Sequence, residues 1–146
     1  MPDVDAQEFD RWRTQSGRAL ATAVLAAAGD QHEWACFLAE QAAQLAVKGL
    51  LHAVGEDAWG HDLALLEGRA AAMIGRSWST GIGDAAARLS RHYIATRYPD
   101  AHASGEPGAH YRKADADQAL EDARLVLAAV DRAWETLGEH DGEGET

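Results

Sequence analysis

The feature of this chain that most constrains its fold is the spacing of its apolar residues, which recur at intervals of three and four along most of its length. Residues at these intervals lie on one face of an α-helix. Alanine is abundant and β-branched residues are sparse, which also favours helices because alanine loses no side-chain entropy there. The pattern predicts helices over residues 5–28, 31–54, 61–74, 82–94 and 114–137. The chain is therefore predicted to be all-α.

The second predicted helix, residues 31–54, has two apolar edges that differ in size. One edge carries large side chains, and the other carries alanines and Gly49, which allow another helix to approach closely. We therefore expect this helix to be the central one, contacted on more than one side. Its polar exceptions are Glu40, Gln41 and Lys48. For Lys48 two alternatives are open: its side chain reaches solvent, or it pairs with Asp62 or with a ligand phosphate.

Three segments lack a sustained helical pattern. Residues 75–83 are rich in helix breakers, and Trp78 is expected to anchor them to the core. Residues 95–113 contain prolines and glycines and are predicted to form an irregular loop, and long loops in compact domains are often functional. Residues 138–146 are acidic and contain glycine, which predicts a disordered tail after a domain spanning residues 5–137.

Length and composition narrow the class of protein. A chain of 146 residues matches a single domain that buries a sizeable core. Cys36 is the only cysteine, so no intramolecular disulfide is possible, which fits a reducing cytosol. The sequence shows no signal peptide and no apolar run of about 18 residues, so we expect a cytoplasmic protein outside the membrane. It has no metal-ligand spacing and no glycine-rich nucleotide loop, so no metal or cofactor is expected.

The net charge of −11 would argue against nucleic-acid binding if it were spread evenly, but it is not. Sequence-specific DNA binding is not expected. Residues 114–146 hold ten acidic and two basic residues, which gives −8. Residues 84–113 hold five basic and three acidic residues, which gives +2. The difference is either ordinary surface variation or a small anion-binding patch on an acidic body.

The basic segment supplies the candidate nucleotide- or RNA-binding residues. Arginine offers forked donors that match phosphate oxygens, and tyrosine offers a flat surface on which a base can stack. The residues with these properties, together with a neighbouring histidine, are Arg88, Arg91, His92, Arg97, Tyr98 and Tyr111. Alternatively, Arg88 and Arg91 complement the negative end of a helix dipole, and the tyrosines only attach the loop to the core.

Several stretches of the chain resemble the HEPN domain family in sequence and order. They are residues 34–43 (WACFLAEQAA), 47–51 (VKGLL), 60–63 (GHDL), 93–101 (YIATRYPDA) and 115–120 (DADQAL). The resemblance covers about residues 10–137. It implies an up-and-down bundle of about five helices that usually forms a homodimer. Such a bundle is similar to the C-terminal domain of aminoglycoside nucleotidyltransferases. It also implies a nucleotide- or RNA-binding module that is paired with a minimal nucleotidyltransferase in a two-component or toxin–antitoxin-like system.

Two alternatives to the binding module remain open. Many HEPN proteins are metal-independent ribonucleases with an arginine and a histidine separated by four to six residues, and Arg97 and His102 match that spacing. In that chemistry His102 acts as general base or acid and Arg97 stabilises charge on the transition state. Pro99 lies inside the motif, and Ser104 stands where well-known toxin members have a tyrosine. The other alternative is a structural helical dimer that binds no ligand.

Overall fold

The computed structural model describes residues 4–75, 78 and 80–144, and the regular secondary structure of these residues is entirely helical. The α-helices are α1 (Ala6–Ala28), α2 (His32–Ala53), α3 (Leu63–Ile74), α4 (Thr80–Ser90), α5 (His92–Ala95) and α6 (Lys113–Gly144). Two short 3-10 turns, Pro99–Ala101 and Pro107–His110, lie between α5 and α6. The all-α helical bundle predicted from the spacing of apolar residues is confirmed.

Helix α2 is the central element, as the sequence predicts. It packs against α1 and α6, and α3, α4 and α5 also contact it. At Gly49 the backbone of α2 meets α1 so closely that an added Cβ would lie 2.7 Å from the Cβ atom of Trp12. Nearby, the buried hydroxyl of Ser16 donates a hydrogen bond of 2.7 Å to the carbonyl oxygen of Ala42. Close packing therefore explains the glycine within this helix.

The turns before and after α3 have identifiable anchors. The side chain of Asp62 caps the helix by accepting a hydrogen bond of 3.1 Å from the amide of Leu65. After the helix, the buried Trp78 donates from its indole nitrogen to Oε1 of Glu67 at 2.6 Å. The predicted anchoring role of Trp78 is confirmed, while residues 76, 77 and 79 of that segment lie outside the described residues.

Two helix boundaries differ from the expectation. The helix expected over residues 82–94 is divided at Arg91 into α4 and α5. Helix α6 continues to Gly144, although a disordered tail is expected from residue 138. Extending an existing helix requires only one further residue to be fixed for each hydrogen bond gained, so a polar segment can prolong it. In the described part of the chain, no helix is long and apolar enough to cross a membrane.

Candidate functional site

Arg88, the first of the candidate arginines, is paired with a carboxylate of the bundle. Its Nε atom donates a hydrogen bond to Oδ2 of Asp122 and its Nη2 atom donates one to Oδ1, each at 2.9 Å. Asp122 is a buried residue of α6, and Gln118 also donates to it. The guanidinium that is expected to face a phosphate therefore joins α4 to α6 instead. Its Nε and Nη2 atoms are occupied by Asp122 and are not available to a ligand.

His92 and Tyr111 contact each other where the loop returns to the bundle. Their rings meet edge to face with centroids 5.6 Å apart, and Nδ1 of His92 lies 3.4 Å from the Tyr111 hydroxyl. Burial lowers the pKa of His92 and raises the pKa of Tyr111 to about 12, so both are mainly uncharged at neutral pH. This contact fits the alternative in which the tyrosine attaches the loop to the core. Arg91, at the break between α4 and α5, is exposed.

Arg97 and three aromatic rings form a compact group that we call the Arg97 cluster: Arg97, Phe37, Tyr93 and Tyr98. The guanidinium carbon lies 4.3 Å from the ring centroid of Phe37, 4.7 Å from that of Tyr93 and 5.0 Å from that of Tyr98. Its Nε and Nη2 atoms donate to the carbonyl oxygen of Tyr93. Among the described residues, Nη1 has no hydrogen-bond partner. The cluster therefore holds a guanidinium in place and leaves one of its edges free.

His61 extends the Arg97 cluster towards the connection between α2 and α3. Its ring stacks on Tyr93, with centroids 4.7 Å apart and planes inclined by 14°. Its carbonyl oxygen accepts a hydrogen bond of 3.0 Å from Nε2 of Gln44, a buried residue of α2. His61 is not among the candidate residues chosen from the sequence. The sequence marks His61 only as part of the stretch 60–63 that resembles the HEPN domain family. Its contact with Tyr93 could not be predicted, because Tyr93 is distant along the chain.

A buried carboxyl group belongs to the same region of α2. Glu40 is fully buried, and its oxygens accept hydrogen bonds from the side chains of Gln41 and Gln44. Burial raises the pKa of Glu40 to about 7, although these hydrogen bonds and the positive charges of Arg97 and Lys48 act to lower it. At neutral pH the carboxyl group is therefore protonated for part of the time and carries less than a full negative charge.

His102 lies against the backbone of α5. Its Nε2 atom is 2.6 Å from the carbonyl oxygen of Ala95, which requires this nitrogen to carry the proton. Its ring stacks on His110, with centroids 4.2 Å apart. In the described part of the chain no hydrogen bond joins His102 to Arg97, and each side chain instead contacts a separate carbonyl of α5. Within these residues, no group of three His, Cys, Asp or Glu side chains is placed to hold a metal ion.

Comparison with known proteins shows the family to which this bundle belongs. A family model described as the HEPN domain matches residues 9–133. The chain belongs to the HEPN domain family. The match extends from α1 into α6, so the Arg97 cluster lies inside the HEPN domain.

Solved structures give the same result. This HEPN chain is similar to TT1696 from Thermus thermophilus, with 36% identity, 86% of this chain and 97% of that chain covered, and a TM-score of 0.81. It is also similar to ST0689, an archaeal HEPN homologue, with 33% identity, coverage of 84% and 94%, and a TM-score of 0.70. A HEPN domain protein from Thermotoga maritima, TM0613, shares the fold at 22% identity, coverage of 86% and 98%, and a TM-score of 0.68. No curated protein matches the chain.

Proposed function

We propose that this HEPN protein is a nucleotide- or RNA-binding module that does not cleave its ligand. The observation that carries the proposal is the Arg97 cluster, in which a guanidinium with a free edge is surrounded by aromatic rings. Tyr98 is 46% exposed and offers a surface on which a base can stack. Stacking on an aromatic side chain contributes about 1–3 kcal/mol per base.

The way in which Arg97 is held suits the binding of a phosphate. Its two hydrogen bonds to the Tyr93 carbonyl fix the plane of the guanidinium before a ligand arrives. A side chain that is already ordered loses less conformational entropy on binding, so more of the interaction energy appears as affinity. Nη1 is the donor that remains for a phosphate oxygen.

The hydrogen bonds of the Arg97 and His102 pair are our reason for preferring binding to cleavage. A general base must accept a proton from the ribose hydroxyl through an unprotonated nitrogen. In His102 the Nε2 atom donates its proton to the Ala95 carbonyl, so only Nδ1 is left to act as a base, and in the described part of the chain no hydrogen bond joins this ring to Arg97. The spacing of Arg97 and His102 nevertheless supports a metal-independent endoribonuclease as the second candidate function.

We further propose that the protein forms a homodimer and partners a minimal nucleotidyltransferase. Trp34 is 46% exposed and contacts Phe37 of the Arg97 cluster edge to face, with centroids 6.3 Å apart. Exposed aromatic side chains such as Trp34 are enriched at the centre of protein contact sites. Sedimentation equilibrium should give twice the mass of the chain. Coexpression with the product of a neighbouring nucleotidyltransferase reading frame should yield a stable complex.

The binding proposal is tested with ATP, GTP and a labelled single-stranded RNA. Wild-type protein should bind at least one of them saturably, and Arg97→Ala should weaken that binding by about tenfold, which corresponds to about 1.4 kcal/mol. Arg132→Ala is the matched control, because this exposed arginine lies on α6 outside the cluster. Absence of saturable binding to all three ligands would favour the structural dimer instead.

The same RNA, incubated with the protein in the presence of a chelator, separates binding from cleavage. Intact RNA is expected after incubation with the wild-type protein. Products with cyclic phosphate ends that disappear with His102→Ala would refute the binding-only proposal and establish the ribonuclease alternative.

A further inference from the structure

A groove of about 450 Å³ adjoins the Arg97 cluster. It lies between the N-terminal half of α1, the C-terminal part of α2 and the connection that precedes α3. Its lining includes Trp12, Lys48, His52, Trp59 and His61, and we call it the Lys48 groove. His61 lines the groove and also stacks on Tyr93, so the groove and the Arg97 cluster meet at this histidine.

Lys48 is a half-buried cation at this groove. In the described part of the chain it forms no ion pair, and Asp62, one of the two partners considered for it from the sequence, instead caps α3. Burial lowers the pKa of Lys48, and the negative charge of Glu40 only partly opposes this effect. The other cation of the groove, Arg11, is paired with Glu8 at 3.0 Å. An ammonium group that is partly removed from water and forms no salt bridge favours the approach of an anion.

The groove also contains aromatic surfaces at its rim and its wall. Trp59 is 82% exposed, which is unusual for a large apolar side chain that has no ligand or partner to contact. Trp12 stacks on His52, with ring centroids 4.7 Å apart, and donates from its indole nitrogen to Glu8 at 2.9 Å. A cation and an exposed indole therefore occur together in the same groove.

We propose that the Lys48 groove is a second binding site for single-stranded RNA, in which Lys48 contacts a phosphate and Trp59 stacks on a base. One strand would then extend from this groove, across His61, to the Arg97 cluster. Proteins that bind single strands combine positive charge along the backbone path with aromatic side chains for stacking. This inference rests on the proposed RNA-binding function, and it assigns residues outside the basic segment 84–113 to the site.

The proposal is tested by comparing oligouridines of about 3 and about 12 nucleotides, which lie below and within the usual range for single-strand sites. Fluorescence anisotropy should show that Lys48→Gln and Trp59→Ala each weaken binding of the longer strand by about tenfold and leave binding of the shorter strand unchanged. Lys48→Gln removes the charge but keeps most of the stem, and Lys48→Arg should retain affinity. Arg124→Gln, at an exposed arginine of α6 outside the basic segment, is the matched control.

The salt dependence of binding gives a second measurement specific to a phosphate contact. Each phosphate contact with a single strand contributes about 0.7 to the slope of log affinity against log salt concentration. Lys48→Gln should reduce the slope for the longer strand by about this amount, whereas Trp59→Ala should leave the slope unchanged. An unchanged slope in Lys48→Gln would refute the phosphate contact.

The outcomes distinguish this inference from the proposed function. If Arg97→Ala loses affinity while the Lys48 and Trp59 variants bind the longer strand normally, the Lys48 groove is not an RNA site and the proposed function stands. If the wild-type protein binds neither strand and no nucleotide, both proposals fail. If Trp59→Ala converts a dimer to a monomer, the groove is an interface between two copies, and the RNA assignment is overturned.

Discussion

Replacing the buried carboxyl group of Glu40 with an amide should change how stability depends on pH. The pKa of Glu40 is raised from 4.5 to about 7, and one pKa unit corresponds to about 1.4 kcal/mol. Ionisation of this group therefore destabilises the folded state by about 3 kcal/mol relative to the unfolded chain. In Glu40→Gln the side chain is uncharged at every pH and retains an oxygen that accepts hydrogen bonds from its neighbours.

The direction of the effect follows from which state holds the proton. Between about pH 4.5 and pH 7 the folded protein keeps the Glu40 proton and the unfolded chain releases it, so this contribution to stability is complete below that range and is lost as the pH rises through it. His92 acts in the opposite direction, because its lowered pKa favours the neutral form in the folded state. The contribution of His92 cancels when the wild type and Glu40→Gln are compared at the same pH.

Urea denaturation followed by circular dichroism at several pH values between about 5 and 8 measures the difference. From pH 5 to pH 8 the free energy of unfolding of Glu40→Gln should rise relative to the wild type by about 2.5 kcal/mol, because a smaller part of the effect lies below pH 5. Glu135→Gln, at an exposed position of α6, is the matched control variant. A constant offset between wild type and Glu40→Gln at all pH values would refute the reasoning.

Further stability measurements address contacts in the bundle. Gly49→Ala should lower the free energy of unfolding by about 1–3 kcal/mol, because its Cβ would lie 2.7 Å from Trp12, whereas Gly68→Ala should raise it by up to about 1 kcal/mol. Equal effects of the two substitutions would contradict close packing at Gly49. Trp78→Phe should destabilise the protein by about 1–3 kcal/mol, because Glu67 loses a buried donor. An unchanged urea midpoint in this variant would show that the hydrogen bond contributes nothing.

Much of the fold is predictable because helices depend on local spacing. The apolar pattern predicts each long helix, and the small-residue edge of α2 predicts its central position. The pattern does not predict the break at Arg91, which no proline or change in apolar spacing marks, and it ends α6 at residue 137, where the apolar residues stop, although the helix extends to Gly144. Helix termini depend on a small balance between capping, solvent and tertiary contacts.

The candidate site is less predictable, because its side chains have partners from distant parts of the chain. The sequence identifies Arg88 as a phosphate-binding candidate, but its donors are taken by Asp122, which lies 34 residues away. The proposed role of Tyr111 likewise depends on the contact that the loop makes with His92. Spacing along a helix shows which residues share a face, but it does not show which element covers that face.

The sequence by itself determines that residues 84–113 carry a local excess of positive charge and that Arg97 belongs to this segment, because composition and order are properties of the chain alone. Only the tertiary structure decides that Arg97 stands among three aromatic rings and that His61 extends this group towards Lys48. The physical reason is that helix formation is governed by neighbours three and four residues apart. The cluster, in contrast, is assembled when α2, α5 and two connections pack together.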